Sequence, residues 1–190
     1  MGVFDFILAL YSIIAGLAIS VLVKGIARMI KGRDRLRLYW VHTVWLIFLF
    51  VVNVVSWFAL WDLRDHPSWT ALEALLLLLI PILLNAASYL SFPEGGDDNE
   101  FNFRAHYFHQ AQWLQGLLLL ALLSSSTAVR VIDGRWDIIA EDMLRIVIML
   151  ILLPGIVSRR PGLHTVQMIF LLLVALLALQ RIVAPIGGAA

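Results

Sequence analysis

The 190-residue chain contains no cysteine. Disulfides, thiolate metal sites and thiol nucleophiles are therefore excluded, while the compartment is left undecided. Charge is scarce, at 14% of residues, and nearly balanced, with a formal net charge of +1. That balance carries no footprint for binding nucleic acid. No GxSxG elbow, no HExxH helix and no paired intramembrane aspartates occur, so no enzyme class is indicated. The N-terminus, MGVFDFILALYSIIAG, has no basic segment before its apolar run and reads as a first membrane helix, not a cleaved signal.

What fills the chain is hydrophobic, at 62% of residues against about 45–50% in soluble domains. The apolar residues come in blocks of about 20, the length that spans about 30 Å of hydrocarbon. These blocks predict an all-α polytopic membrane protein, a single domain over residues 1–190. Its six transmembrane helices are expected at about 3–23, 40–61, 70–91, 106–129, 138–157 and 163–183. Asp5 suits the positive end of the first helix. Thr70 suits the N-cap of the third. The basic segment 24–37 and the acidic loop holding Asp97, Asp98 and Glu100 read as connections.

Six crossings put segments 24–37, 92–105 and 158–162 on one side. They carry Lys24, Arg28, Lys31, Arg33, Arg35, Arg37, Arg104, Arg159 and Arg160, against Arg64, Arg130, Arg135 and Arg181 opposite. Basic loops stay cytoplasmic, so both termini are expected outside the cytoplasm of a bacterial inner membrane. Trp57, Trp61, Trp69 and Trp136 would then line the outer interface, with Trp40, Trp45 and Trp113 at the inner one.

Each outward helix begins at a histidine (His42, His109, His164), in the strings VHTVW, FHQAQW and LHTVQ. Each inward helix begins at Phe4-Asp5, Trp69-Thr70 or Trp136-Asp137. This rhyme is compatible with three helical hairpins in tandem, as internal repeats occur in transporters. It is equally what interfacial aromatic belts produce in any bundle.

His42, His106, His109 and His164 share one depth, which suggests a metal site or a pH sensor on that side. The plainer reading is imidazole resting among headgroups. No cofactor is expected beyond that metal ion. Haem is disfavoured, because the histidines lie on one side only.

Polar side chains within hydrocarbon are costly and usually face the bundle or a water-filled cavity. Asn53, Glu73, Asn85, Gln112, Ser124 and Gln167 are such residues, and are the candidates for a transport path on helices two, four and six. They are equally candidates for interhelical hydrogen bonds. On the fifth helix Glu141 and Arg145 stand at i,i+4, a pairing distance. Pro81 frees a backbone carbonyl near Leu77 in the third helix.

The expected function is therefore a channel or small transporter for an ion or small solute. The alternative is a structural or accessory subunit of a larger membrane complex. Six helices enclose little space, so the expected partners are the lipid bilayer and either further copies of the chain or a membrane partner subunit.

Overall fold

A computed structural model describes residues 2–33, 35–93, 101–136 and 140–183. Asp97, Asp98, Glu100, the tail beyond Val183 and the side chain of Glu141 lie outside the described residues. The described chain is built of six α-helices: α1 (Val3–Lys31), α2 (Trp40–Phe58), α3 (Ala71–Leu90), α4 (Phe103–Asp133), α5 (Ala140–Val157) and α6 (Pro161–Val183). A 3₁₀ turn, Ala59–Leu63, prolongs α2.

Two boundaries move well beyond the sequence expectation. Helix α1 runs on from Val23 to Lys31, so most of the basic segment is helical. Lys24, Arg28 and Lys31 are exposed, while Leu22, Gly25 and Met29 turn inward. Charges outside hydrocarbon do not stop a helix whose other face still finds packing partners. Helix α4 likewise spans 31 residues, about 46 Å at 1.5 Å per residue, more than a bilayer core requires.

Length and low charge make α1, α2 with its 3₁₀ extension, α3 and α4 four helices fit to cross a membrane. Helix α5 carries Glu141, Asp142 and Arg145 near its start, and the described apolar run of α6 is shorter, Pro161–Leu177. The outside of the bundle is apolar, with Ile13, Leu17, Leu75, Leu120, Leu150 and Phe170 all exposed. So broad an apolar surface suits lipid and not water.

The helices alternate in direction. At one end β1 (Leu36–Arg37) pairs in parallel with β2 (Phe101–Asn102), joining the α1–α2 and α3–α4 connections. At the other, Phe4 stacks on Trp69 with ring centroids 6.2 Å apart. The first is called here the basic end.

Around the bundle, α1 packs on α3, α3 on α4, α4 on α5, α5 on α6, α6 on α2 and α2 on α1. Three equivalent hairpins would place α2, not α3, between α1 and its next hairpin. The two helices of each hairpin are neighbours, but the first pair stands in reversed order around the bundle, and the cause is local. The tip of the Phe92 ring presses against Gly25, where any Cβ would collide with it. Together with the Phe4–Trp69 stack, this clamps α3 to α1 at both ends. Helix α2 also touches α3 and α4, which makes it the most central helix.

Helix α3 starts as its sequence foretells. The Thr70 hydroxyl accepts from Glu73 N at 3.3 Å, and Glu73 Oε2 accepts from Thr70 N at 2.6 Å. Two orphan donors are thus satisfied reciprocally. Thr70→Ala is expected to cost about 1 kcal/mol, read by thermal unfolding in detergent. Deeper in, Ser124 Oγ donates to Leu76 O at 2.8 Å, tying α4 to α3 beside Pro81. The carbonyl it uses is the neighbour of the one Pro81 frees.

Candidate functional site

Three clusters of buried polar groups stand out, and α2 passes through two of them. At the basic end, His42 Nε2 donates to Ser91 O at 2.8 Å, and His106 Nε2 to Leu90 O at 3.1 Å. These carbonyls belong to the last turn of α3, which has no intrahelical donors for them. Two imidazoles therefore cap one helix C-terminus, the end whose partial charge favours a cation. Trp45 Nε1 donates to Ser91 Oγ at 3.2 Å, and Ser91 Oγ donates to Ala87 O at 2.8 Å. His42 is fully buried, and its Nδ1 has no hydrogen-bond partner among the described residues. With Nε2 carrying the hydrogen, that Nδ1 is a lone-pair acceptor. Phe103 and Tyr107 wall it in, at ring-centroid distances of 5.0 and 6.3 Å. Outside the helices at this end, burial raises the Tyr39 phenol above its ordinary range, opposed by the nearby Arg104 charge.

The second cluster lies on α1 and α2 toward the opposite end. Asn53 is fully buried. Its Nδ2 donates to Leu49 O at 2.9 Å, and its Oδ1 has no partner among the described residues. One turn on, Ser56 Oγ donates to Asn53 O at 3.0 Å. Trp57 Nε1 donates to Ser12 Oγ at 2.8 Å, pinning α2 to α1. Buried Tyr11 stands beside Ser56.

Between these clusters α2 presents Trp45, Leu46, Phe48 and Leu49, all buried. From His42 to Asn53 is about 16 Å of helix, so this buried apolar stretch separates the two polar clusters.

The third cluster ties α4, α5 and α6. His164 Nε2 donates to Ser158 O at 2.8 Å, so its Nδ1 accepts from Tyr107 Oη at 3.1 Å and Gln115 Nε2 at 3.3 Å. Gln115 and Gln167 exchange reciprocal amide bonds of 3.1 and 3.0 Å. Gln167 Nε2 also reaches Ile151 O at 2.8 Å. All of these polar atoms are paired, which is the signature of a structural joint.

Of the residues singled out from sequence, His42, Asn53, Glu73, Ser124, His164 and Gln167 are buried. Asn85 and His106 are half-buried, and His109 and Gln112 are exposed. His42 and His106 are neighbours, with rings 6.5 Å apart. His164 instead bonds to Tyr107, and His109 faces outward. Among the described residues no group of three or more His, Asp or Glu is placed to hold a metal. On α4 the inward glutamine is Gln115, not Gln112. The inward face of α4 is the buried stripe Tyr107, Ala111, Leu114, Gln115, Leu118 and Ala121, which leaves His109 and Gln112 outside. Trp45, expected at the interface, is wholly internal.

Sequence reading missed Tyr107, Gln115 and Ser91. The small Ala111 and Ala121 were the available signal, because small side chains mark where helices approach closely. On α5, Arg145 Nη1 and Arg130 Nη2 flank Asp142 at 3.3 and 3.4 Å.

No protein-family model, no curated protein and no solved structure matches this chain.

Proposed function

We propose that the chain is an integral membrane transport protein in which all six helices cross the bilayer and a proton or small cation moves along α2. The reading is carried by one observation. The central helix holds two buried acceptor atoms, His42 Nδ1 and Asn53 Oδ1, with no partner among the described residues. Buried polar atoms are normally satisfied, and an unsatisfied one is costly. Two on the same helix, on either side of an apolar plug, suit a species that supplies its own positive charge or hydrogen. Apolar constrictions gate permeation by excluding water. The excess of lysine and arginine at the basic end supports a cytoplasmic position for it, with both termini opposite.

On this reading the path leaves helices four and six. Gln167 and Ser124 spend their hydrogen bonds on neighbouring helices. Those same bonds favour the second reading, an accessory subunit of a membrane complex whose polar groups serve assembly.

Proton and cation flux into proteoliposomes separates the two. Wild type is expected to conduct, and Asn53→Leu to lose about tenfold or more, equivalent to at least 1.4 kcal/mol on the barrier. Correctly inserted wild-type protein that passes nothing would sink the transport reading in favour of the accessory one.

A further inference from the structure

At the end opposite the basic loops, His66 and Glu73 face each other in the turn between α2 and α3. Their nearest atoms, His66 Nε2 and Glu73 Oε1, are 3.7 Å apart. Both side chains are largely sheltered, 16% and 8% exposed. The distance is too long for a hydrogen bond and short enough for an ion pair. Each partner is held by its backbone. His66 N donates to Leu63 O at 3.1 Å, before Pro67 turns the chain. Glu73 Oε2 is committed to Thr70 N at 2.6 Å, which leaves Oε1 as the oxygen turned to the imidazole. Trp69 closes the site, its ring T-shaped to His66 at a centroid distance of 4.9 Å and stacked on Phe4 of α1. His66 Nε2 and Trp69 Nε1 are both buried atoms without a hydrogen-bond partner among the described residues.

Other charged groups nearby on the chain are engaged or turned to solvent. Arg64 pairs with Asp65 at 3.2 Å, Asp62 is exposed, and Asp5 of α1 accepts from Gly2 N at 2.7 Å. Arg130, Asp142 and Arg145 make their own cluster between α4 and α5. Among the described residues, His66 is the one basic side chain within ion-pair reach of Glu73.

We propose that His66 and Glu73 form a proton-loading site that answers to the aqueous phase at this end, and that the proton is the species the transport path carries. The second clause rests on the transport reading; the first does not. A proton from solvent binds the free imidazole nitrogen of His66. Both ring nitrogens then carry hydrogen, and Nε2–H swings onto Glu73 Oε1 as a charge-assisted bond. No other bond is made or broken. Loading therefore tightens the α2–α3 turn against α3 and α1, at the end of the bundle toward which Tyr11, Ser56 and Asn53 lie.

The test is a pH titration of tryptophan emission on the full chain in nanodiscs, because a protonated imidazole against an indole quenches it. Wild type is expected to show a one-proton quenching transition. It should vanish in His66→Asn and in Trp69→Phe, the second of which leaves the proton-binding pair intact. Glu73→Gln should move the midpoint down, since an adjacent carboxylate favours the charged imidazole. Absence of a His66-dependent transition in folded protein overturns the site, as does an unmoved midpoint in Glu73→Gln. Proton flux in vesicles then addresses the species. Flux that falls several-fold in His66→Asn supports proton loading here. Flux of another cation, indifferent to pH on this side, overturns it while leaving transport standing.

Discussion

Trp45→Ala is expected to lower folding stability by about 3 kcal/mol, the low end for truncating a buried aromatic, and, on the transport reading, to turn a gated path into a leak. The indole is fully buried and ranks first by volume among the fully buried side chains. It packs on Phe48 with centroids 6.2 Å apart and donates to Ser91 Oγ. The low end applies because an unfolded membrane helix still hides its indole in lipid, so the transfer term shrinks and the cavity term remains. That cavity opens between the His42 and Asn53 clusters, where polar groups on both sides attract water. Urea or thermal unfolding in detergent reads the first effect, and proteoliposome flux the second. Trp45→Phe serves as the control: it keeps most of the volume, loses the N–H, and should cost about 1 kcal/mol without a leak. A Trp45→Ala protein as tight as wild type would remove the plug from the proposal.

Gly155→Val is expected to be comparably damaging, for a different reason. A Cβ at Gly155 would run into the Gln115 carboxamide and stand 2.6 Å from Gln167 Oε1. The missing side chain is the notch that admits the amide pair between α4, α5 and α6. Overpacking costs about 1–3 kcal/mol, and each interhelical hydrogen bond lost adds about 0.6–2 kcal/mol. A total loss of roughly 3 kcal/mol follows from these ranges. Because the clash is with one carboxamide, Gln115→Ala should recover part of the loss in the Gly155→Val background. A double-mutant cycle on melting temperature measures that coupling. Strict additivity of the two changes would mean that the notch is not what Gly155 supplies.

Much of the helical order was legible. Thr70 announced the start of α3, and its capping bonds form, with Glu73 as the reciprocal partner. The inward faces of α2 and α6 were legible too, because His42, Asn53, His164 and Gln167 are isolated polar residues among apolar ones. On α4 the same logic held for Ser124 and failed for Gln112. Its run Leu117–Leu120 is apolar all round, so no stripe identifies the packed side, and a helix drawn from His109 starts on the wrong face. Gln112 and Gln115 are one turn apart, and only tertiary packing separates them. The burial of Trp45 was not legible, because a tryptophan's preference for headgroup depth says nothing of its radial position. The His66–Glu73 pair was invisible as a pair: Glu73 carries helix periodicity, but His66 sits in a turn. The six-span count depends on α5 and α6, whose charge and length set them apart from the four long apolar helices.

The two-residue bridge between β1 and β2 has a consequence for biosynthesis. Leu36 is made about 65 residues before its partner Phe101, roughly 3–13 s at 5–20 residues per second. Throughout that interval the segment after α1 has no strand to pair with. On the proposed orientation its arginines, with the lysines at the end of α1, meet the lipid headgroups first, and charge sets the direction of α1. The bridge forms only once α3 has been laid down, and it then acts as a latch on a topology chosen earlier.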